Sequence, residues 1–184
     1  GTSGTSGANG TSGTSGAKGD PGTASEVIDV YDATGGQTIT TTNSPITLNL
    51  DTERYNSNAS IFTLASDEIT VNTAIRAMIM FRVSTDVSAG SARSISEAYL
   101  ERDTGSGFSE IAGSKVYMYN RTANAGENTG TGQVVLDVSS GDKFRIRVQR
   151  IFNTDTIQTI ANGSGLTIFD LLGGEAGPAG ANGT

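Results

Sequence analysis

Glycine occupies every third position at both ends of this chain, and that period leaves very few structures open to those ends. It recurs eight times without interruption at the amino-terminal end and four times at the carboxyl-terminal end. Three polyproline-type helices can wind together only if every third residue lacks a side chain, because that residue faces the crowded common axis. The predicted axial glycines are Gly1, Gly4, Gly7, Gly10, Gly13, Gly16, Gly19, Gly22, Gly174, Gly177, Gly180 and Gly183.

Residues 1–24 and 174–184 are therefore predicted to be collagen-like triple-helical segments. Lys18 and Asp20 flank a glycine in an arrangement that resembles the interchain ion pairs of collagens. Only Pro21 and Pro178 lie in the repeats, so little of the backbone is held in polyproline geometry beforehand, and we expect such a helix to need a trimerising neighbour. The alternative is a flexible Gly/Ser/Thr linker, which has no physical reason to keep a strict glycine register.

The two ends also share a short exact repeat. Residues Gly180–Thr184 match Gly7–Thr11 letter for letter. This match favours a parent chain built from tandem units that follow one another end to end in one fibre. Reuse of common triplets in a low-complexity tract is the alternative explanation.

The middle of the chain has a different composition. All 38 Leu, Ile, Val and Phe residues lie between residues 26 and 172, so residues 25–173 are predicted to form one globular domain. Short alternating runs separated by turn residues indicate an all-β sandwich or jelly roll. The predicted strands are Glu26–Tyr31, Gln37–Thr41, Ile46–Leu50, Ser60–Leu64, Glu68–Val71, Ile75–Thr85, Ser94–Arg102, Lys115–Tyr119, Gln133–Val138, Lys143–Ile151, Thr156–Ile160 and Leu166–Leu172.

Composition excludes several kinds of chemistry. The chain has no Cys and no His, which removes disulfides, thiol nucleophiles and the commonest general base and metal ligand. We expect no enzyme activity and no cofactor; calcium stays open, but no Asp-rich loop argues for it. A net charge of −7 disfavours nucleic-acid binding, and no apolar run is long enough to span a membrane.

Two predicted strands have clear faces. In Ile75–Thr85 one face is apolar, whereas the other mixes Met78 and Met80 with arginines, which suits a subunit contact better than free solvent. In Lys143–Ile151 the outward positions form a basic stripe that includes Arg145 and Arg147. A solvated face balanced by nearby acids and a site for an anionic glycan or partner are both compatible with that stripe.

The central domain resembles the C1q/TNF-like jelly-roll superfamily. The resemblance is carried by Ile61–Leu64, Ile69–Val71, Ala74–Val83, Val134–Val148 with its Gly141-Asp142 turn, and Asn162–Phe169. Domains of this kind often adjoin collagen-like repeats. The resemblance implies a homotrimer packed around a largely apolar threefold axis, in an extracellular appendage or on a virion surface.

Two functions follow from these patterns. The leading one is a structural subunit of a trimeric extracellular or virion fibre, in which jelly-roll beads set the register of collagen-like rods. The alternative is a receptor- or glycan-binding module of a phage fibre or bacterial adhesin. Its candidate ligand surface comprises Tyr117, Tyr119, Arg145 and Arg147, with Tyr99 on a neighbouring strand and the polar segment Asn120–Gly132 predicted to be a loop.

Overall fold

The structure, a computed structural model, describes residues 1–4 and 25–171. Lys18, Asp20 and all the predicted axial glycines except Gly1 and Gly4 lie outside these residues. Gly1 and Gly4 are exposed, and nothing lies within 4 Å of where their Cβ atoms would stand. The triple helices and the limits of the three predicted segments therefore stay predictions.

The described part of the chain contains fourteen strands and no helix. The strands are β1 (Val27–Tyr31), β2 (Thr38–Ile39), β3 (Ile46–Thr47), β4 (Thr52–Asn56), β5 (Phe62–Ala65), β6 (Glu68–Val71), β7 (Ile75–Ala89), β8 (Ser94–Asp103), β9 (Phe108–Glu110), β10 (Val116–Asn120), β11 (Asn128–Val138), β12 (Lys143–Phe152), β13 (Thr156–Thr159) and β14 (Gly165–Asp170).

These strands form two seven-stranded sheets in which every pair of strands is antiparallel. The first sheet has the order β2-β13-β7-β14-β1-β4, with β11 along the other edge of β7. The second sheet has the order β10-β8-β12-β6-β5, with β3 paired to β12 and β9 to β8. The long strand β7 is thus the centre of the first sheet, and β8 and β12 are the centre of the second.

The hydrophobic core lies between the two sheets. In β7 the residues Ile75, Ala77, Ile79, Phe81 and Val83 are all buried, as their alternation predicts. In β12 the inward residues are Phe144, Ile146 and Val148, each with no exposed surface. One face of each central strand therefore builds the core, and the other face is left for contacts outside it.

Three differences from the predicted strands have local causes. Strands β4 and β9 were not predicted, because they are short, lie outside the central strands and carry mostly polar side chains. Strand β11 begins at Asn128 and not at Gln133, so the prediction of a loop over Asn120–Gly132 was wrong at its two ends, at Asn120 and over residues 128–132. Only residues 121–127 connect β10 to β11.

The Gly141-Asp142 turn connects the two sheets, since β11 belongs to the first and β12 to the second. Gly141 has a φ of 92°, a conformation that a residue with a Cβ rarely adopts. The Asp142 carboxylate accepts a hydrogen bond from the Ser139 backbone N–H at 2.7 Å and pairs with Arg102 of β8. The turn is therefore fixed to the second sheet by its own carboxylate.

Candidate assembly and binding surfaces

The outward face of the first sheet carries an apolar row that crosses four strands. Pairing places Val135 of β11 opposite Met78 of β7, Met78 opposite Phe169 of β14, and Phe169 opposite Val27 of β1. Paired residues in antiparallel strands lie on the same face, so these side chains form one continuous line. Val135 is 59% exposed. We call this line the apolar row.

Two further apolar residues extend this row. Met80 lies on the same face of β7, one pair further along, and Leu171 follows β14, where its N–H donates to the Arg76 carbonyl at 2.7 Å. Both side chains are more than two-fifths exposed. The structure thus brings the predicted contact residues Met78 and Met80 into a larger apolar surface on one sheet.

A groove of about 350 Å³ adjoins Met80. Its walls include Arg82 of β7, Gln133 of β11 and Thr167 of β14. Arg82 donates from Nε to the Gly163 carbonyl at 3.2 Å, which holds its stem along the groove. The surface therefore has relief that a flat sheet face lacks.

Charged residues lie at the borders of the apolar row and are paired. Arg76 donates to Asp137 at 2.8 Å; this hydrogen bond lowers the pKa of the Asp137 carboxyl and raises the pKa of the Arg76 guanidinium. On the other side Asp29 accepts from Arg54 at 2.9 Å and from the Thr167 hydroxyl at 2.9 Å. The apolar row is thus bounded by polar pairs, as a subunit contact usually is.

Two glycines of β11 leave room for neighbouring side chains behind this face. A Cβ on Gly132 would lie 2.5 Å from the Phe81 ring, and one on Gly130 would lie 2.6 Å from the Met118 sulfur. Both values are far below van der Waals contact. Gly130 is therefore required by the packing of β10 against β11, and Gly132 by the Phe81 ring of the paired strand β7, although in the sequence both look like turn residues.

The outward face of the second sheet carries the predicted basic stripe, and its charges are compensated. Arg145 donates to Glu101 at 2.7 Å and lies 3.7 Å from the centre of the Phe108 ring. Arg147 donates to the Thr47 hydroxyl and to the Pro45 carbonyl, both at 2.7 Å. The arginines predicted as ligand contacts are thus engaged in contacts within the domain.

The predicted tyrosines lie on this same face, at the edge strand β10. Tyr117 is 59% exposed and Tyr119 is 48% exposed. Tyr99, in contrast, is buried, and this desolvation together with nearby Glu101 raises the pKa of its phenol. The Tyr99 ring is therefore unavailable to a ligand, which corrects the expectation from the sequence.

An aromatic residue that the sequence did not single out joins the tyrosines. Tyr119 is paired with Ile95 of β8, and Ile95 is paired with Phe152 at the end of β12. Strict alternation from Phe144 would point Phe152 into the core, but a register shift after Arg150 reverses its direction, and the side chain is 55% exposed. Only the bulge, which the sequence does not signal, places this ring on the surface.

The segment between β10 and β11 is anchored by a buried amide. Asn120 donates from Nδ2 to the Thr85 hydroxyl and to the Gly126 carbonyl, both at 2.9 Å, and its Oδ1 accepts from Ser96 at 2.7 Å. None of its surface is exposed. Asn120 therefore holds the connection in place and does not contact solvent.

Within residues 1–4 and 25–171 no three His, Cys, Asp or Glu side chains form a group that could hold a metal ion. A helix able to cross a membrane is likewise missing from that part of the chain.

Comparison with known proteins identifies the fold. No protein-family model and no curated protein sequence matches the chain. Among solved structures, an Eiger TNF from S. frugiperda is similar over 82% of this chain and 93% of its own, with a TM-score of 0.52 and 11% identity. The globular domain of zebrafish complement 1qA is similar over 79% and 97%, with a TM-score of 0.52 and 14% identity.

Murine APRIL is similar over 80% of this chain and 99% of its own, with a TM-score of 0.53 and 9% identity. The domain has the TNF/C1q jelly-roll fold. This fold agrees with the resemblance seen in the sequence. At identities this low, the structural similarity establishes the fold alone.

The ends of the jelly roll lie side by side. Val27 of the first strand is paired with Phe169 of the last, and the Asp170 N–H donates to the Glu26 carbonyl at 2.8 Å. The chain thus enters and leaves the jelly roll at one end, on the sheet that carries the apolar row.

Proposed function

We propose that this chain is a structural subunit of a homotrimeric extracellular or virion fibre. Its jelly roll associates with two further copies through the apolar row, and the Gly-X-Y segments form collagen-like rods beside it. At about 3 Å per residue, the amino-terminal rod is roughly 70 Å long. No catalysis is part of this function, and the role is mechanical.

One observation carries the proposal: the apolar row contains Val27 and Phe169, which lie next to the two ends of the jelly roll. Association through this row brings the starts of three Gly-X-Y segments close together in the same register. Bringing chains together is the slow and costly step for a helix with so few prolines, because nucleation must fix three chains at once. The jelly roll therefore supplies the register that the rods lack.

The experiment compares Val135→Glu with the wild-type 184-residue chain. Sedimentation equilibrium should give a wild-type mass of three times 18.8 kDa. Val135→Glu should give a smaller mass, because three carboxylates would be buried in an apolar contact. Thr63→Glu is the matched control, since it adds the same charge to an exposed strand residue of the second sheet. Circular dichroism should report the same strand content in all three proteins.

A monomeric wild type, or a trimeric Val135→Glu variant, would refute assembly through the apolar row. A fragment of residues 24–173 then separates two causes of assembly. If the fragment is a trimer, the jelly roll drives association. If it is a monomer while the full chain is a trimer, the glycine triplets drive it.

The rods need a separate test, which Gly13→Ala provides. A methyl group at the axis of a triple helix disrupts it locally, so this variant should lose the triple-helical circular dichroism signal and its resistance to proteases. Ser12→Ala is the control, since it changes a position away from the axis. Equal behaviour of the two variants would show that the segment is a linker.

A further inference from the structure

We propose that the outward face of the second sheet binds a neutral carbohydrate chain through Tyr117, Tyr119 and Phe152. We call these three rings, with Ile95 between two of them, the aromatic surface. This binding site is distinct from the assembly proposed above, because it lies on the opposite sheet. If the chain binds no carbohydrate, the proposed trimer is unaffected.

The geometry of the aromatic surface suits extended sugars. Tyr119 and Phe152 are two strands apart, about 10 Å, with Ile95 filling the gap between them. Tyr117 lies two residues from Tyr119 along β10, about 7 Å away. Three exposed rings on one pleated face form a platform of the size of a short oligosaccharide. The apolar faces of sugar rings stack on such platforms.

The hydrogen-bonding groups beside these rings suit hydroxyl groups. Tyr117 is paired with Glu97, which is paired with Gln149, and the Gln149 amide donates to the Glu97 carboxylate at 2.9 Å. Amides and phenols can each exchange hydrogen bonds with sugar hydroxyls. Glu97 is buried and holds the Gln149 amide in place, so the half-buried Gln149 and the two phenols are the polar groups that the surface offers to a sugar.

The charge balance favours a neutral ligand. Lys115, which directly precedes β10, pairs with Glu97 at 3.3 Å and with Glu110 at 3.2 Å. Arg145 is paired with Glu101, and the whole chain carries a net charge of −7. The exposed Arg93 and Arg121 lie next to β8 and β10, so the preference for a neutral ligand rests on the paired Lys115 and Arg145 and on the overall negative field, which repels anions.

A second copy of the chain fits this surface less well. The continuous apolar row on the first sheet is the better surface for self-association, whereas Gln149 and the Tyr117 and Tyr119 phenols make the aromatic surface partly polar. Exposed rings on the edge strand β10 also carry a risk of aggregation. A carbohydrate that stacks on these rings explains why they are exposed despite that risk.

The test presents the 184-residue chain to an array of neutral and anionic glycans. The best-bound neutral oligosaccharide is then titrated by calorimetry. Tyr119→Ala and Phe152→Ala should each weaken binding roughly 3- to 10-fold, the usual range for loss of one aromatic contact. The triple variant Tyr117→Ala/Tyr119→Ala/Phe152→Ala should abolish binding. Raising salt from about 0.05 to 0.5 M should change the affinity less than 2-fold, because neutral ligands are not screened.

Tyr55→Ala is the matched control, since this tyrosine is 57% exposed but lies on β4 of the first sheet. It should bind like the wild type. Three results would each overturn the proposal: no neutral glycan bound above background, unchanged binding in the triple variant, or binding of anionic glycans alone that salt abolishes. The mass of each variant is measured in parallel, so that loss of binding is not confused with loss of assembly.

Discussion

Val27 and Phe169 face each other directly across the antiparallel pair of β1 and β14. The first and last strands of the jelly roll are therefore neighbours, so residues 25 and 171, from which the proposed Gly-X-Y rods would start, lie at the same end of the jelly roll. Two triple helices cannot share one threefold axis at one end of a trimer. If both rods start there, the proposed fibre turns or forks at each jelly roll, and the jelly roll is mounted on its side.

This geometry predicts where the two termini lie. The chain contains no cysteine, so single cysteines added at residue 1 or residue 184 can be labelled specifically with gold particles. Electron microscopy should find both labels on the same side of the bead. Labels on opposite sides would contradict the proposed arrangement in which both rods start beside the Val27–Phe169 pair.

Replacement of Gly132 by alanine should destabilise the jelly roll. The new methyl would lie 2.5 Å from the Phe81 ring, and overpacking of this kind costs about 1–3 kcal/mol. The midpoint of thermal unfolding should fall by roughly 2–4 °C for each kcal/mol. Thr131→Ala, a change at the exposed residue between the two β11 glycines, is the control and should cost under about 1 kcal/mol.

A second substitution tests the cause of that loss. If the Phe81 ring is the obstacle, Gly132→Ala combined with Phe81→Leu should be less destabilised than the sum of the two single variants, by at least about 0.5 kcal/mol. Additive effects would mean that the methyl group clashes with something other than this ring.

The same glycines mark the limit of what the sequence can predict. Alternation identifies the core face of β7 and β12 because each residue's direction depends only on its position in its own strand. Gly130 depends instead on how closely β10 approaches β11, and Gly132 on the position of the Phe81 ring of β7; both are tertiary properties, so the start of a strand was mistaken for a loop. The exposure of Phe152 depends on a bulge that the sequence does not signal. The sequence therefore predicted Tyr117 and Tyr119 of the aromatic surface but not Phe152.

The apolar row illustrates the same distinction. Met78 and Met80 could be identified from the sequence of one strand, since a strand face that mixes methionine with arginine is unusual for a surface open to solvent. Val27, Val135 and Phe169 join them only through strand order, which the sequence pattern does not contain. Pairing between distant strands, and not the character of any one strand, creates this surface.

Removal of the Asn120 side chain should cost about 1–3 kcal/mol. Asn120→Ala deprives the Ser96 hydroxyl, the Thr85 hydroxyl and the Gly126 carbonyl of a hydrogen-bond partner, and buried polar groups without partners are expensive. Amide hydrogen exchange should speed up across residues 121–127. Asn128→Ala is the control, because Asn128 makes one exposed hydrogen bond to the Tyr119 carbonyl. Equal losses in the two variants would contradict the anchoring role.

Asp51 should contribute to the stability of the domain in a pH-dependent way. Hydrogen bonds from the Thr34 hydroxyl and the Ala33 N–H hold the pKa of its carboxyl below the usual 3.8. A carboxyl with a lowered pKa in the folded state stabilises that state above the unfolded pKa of about 3.9, and this contribution is lost as the pH falls through the folded pKa.

Urea unfolding should therefore show Asp51→Asn to be less stable than wild type at neutral pH. That difference should shrink as the pH drops below about 3.9. Glu127→Gln, at an exposed acid, is the control. A difference that stays constant down to about pH 2 would show that Asp51 acts by its shape and not by its charge.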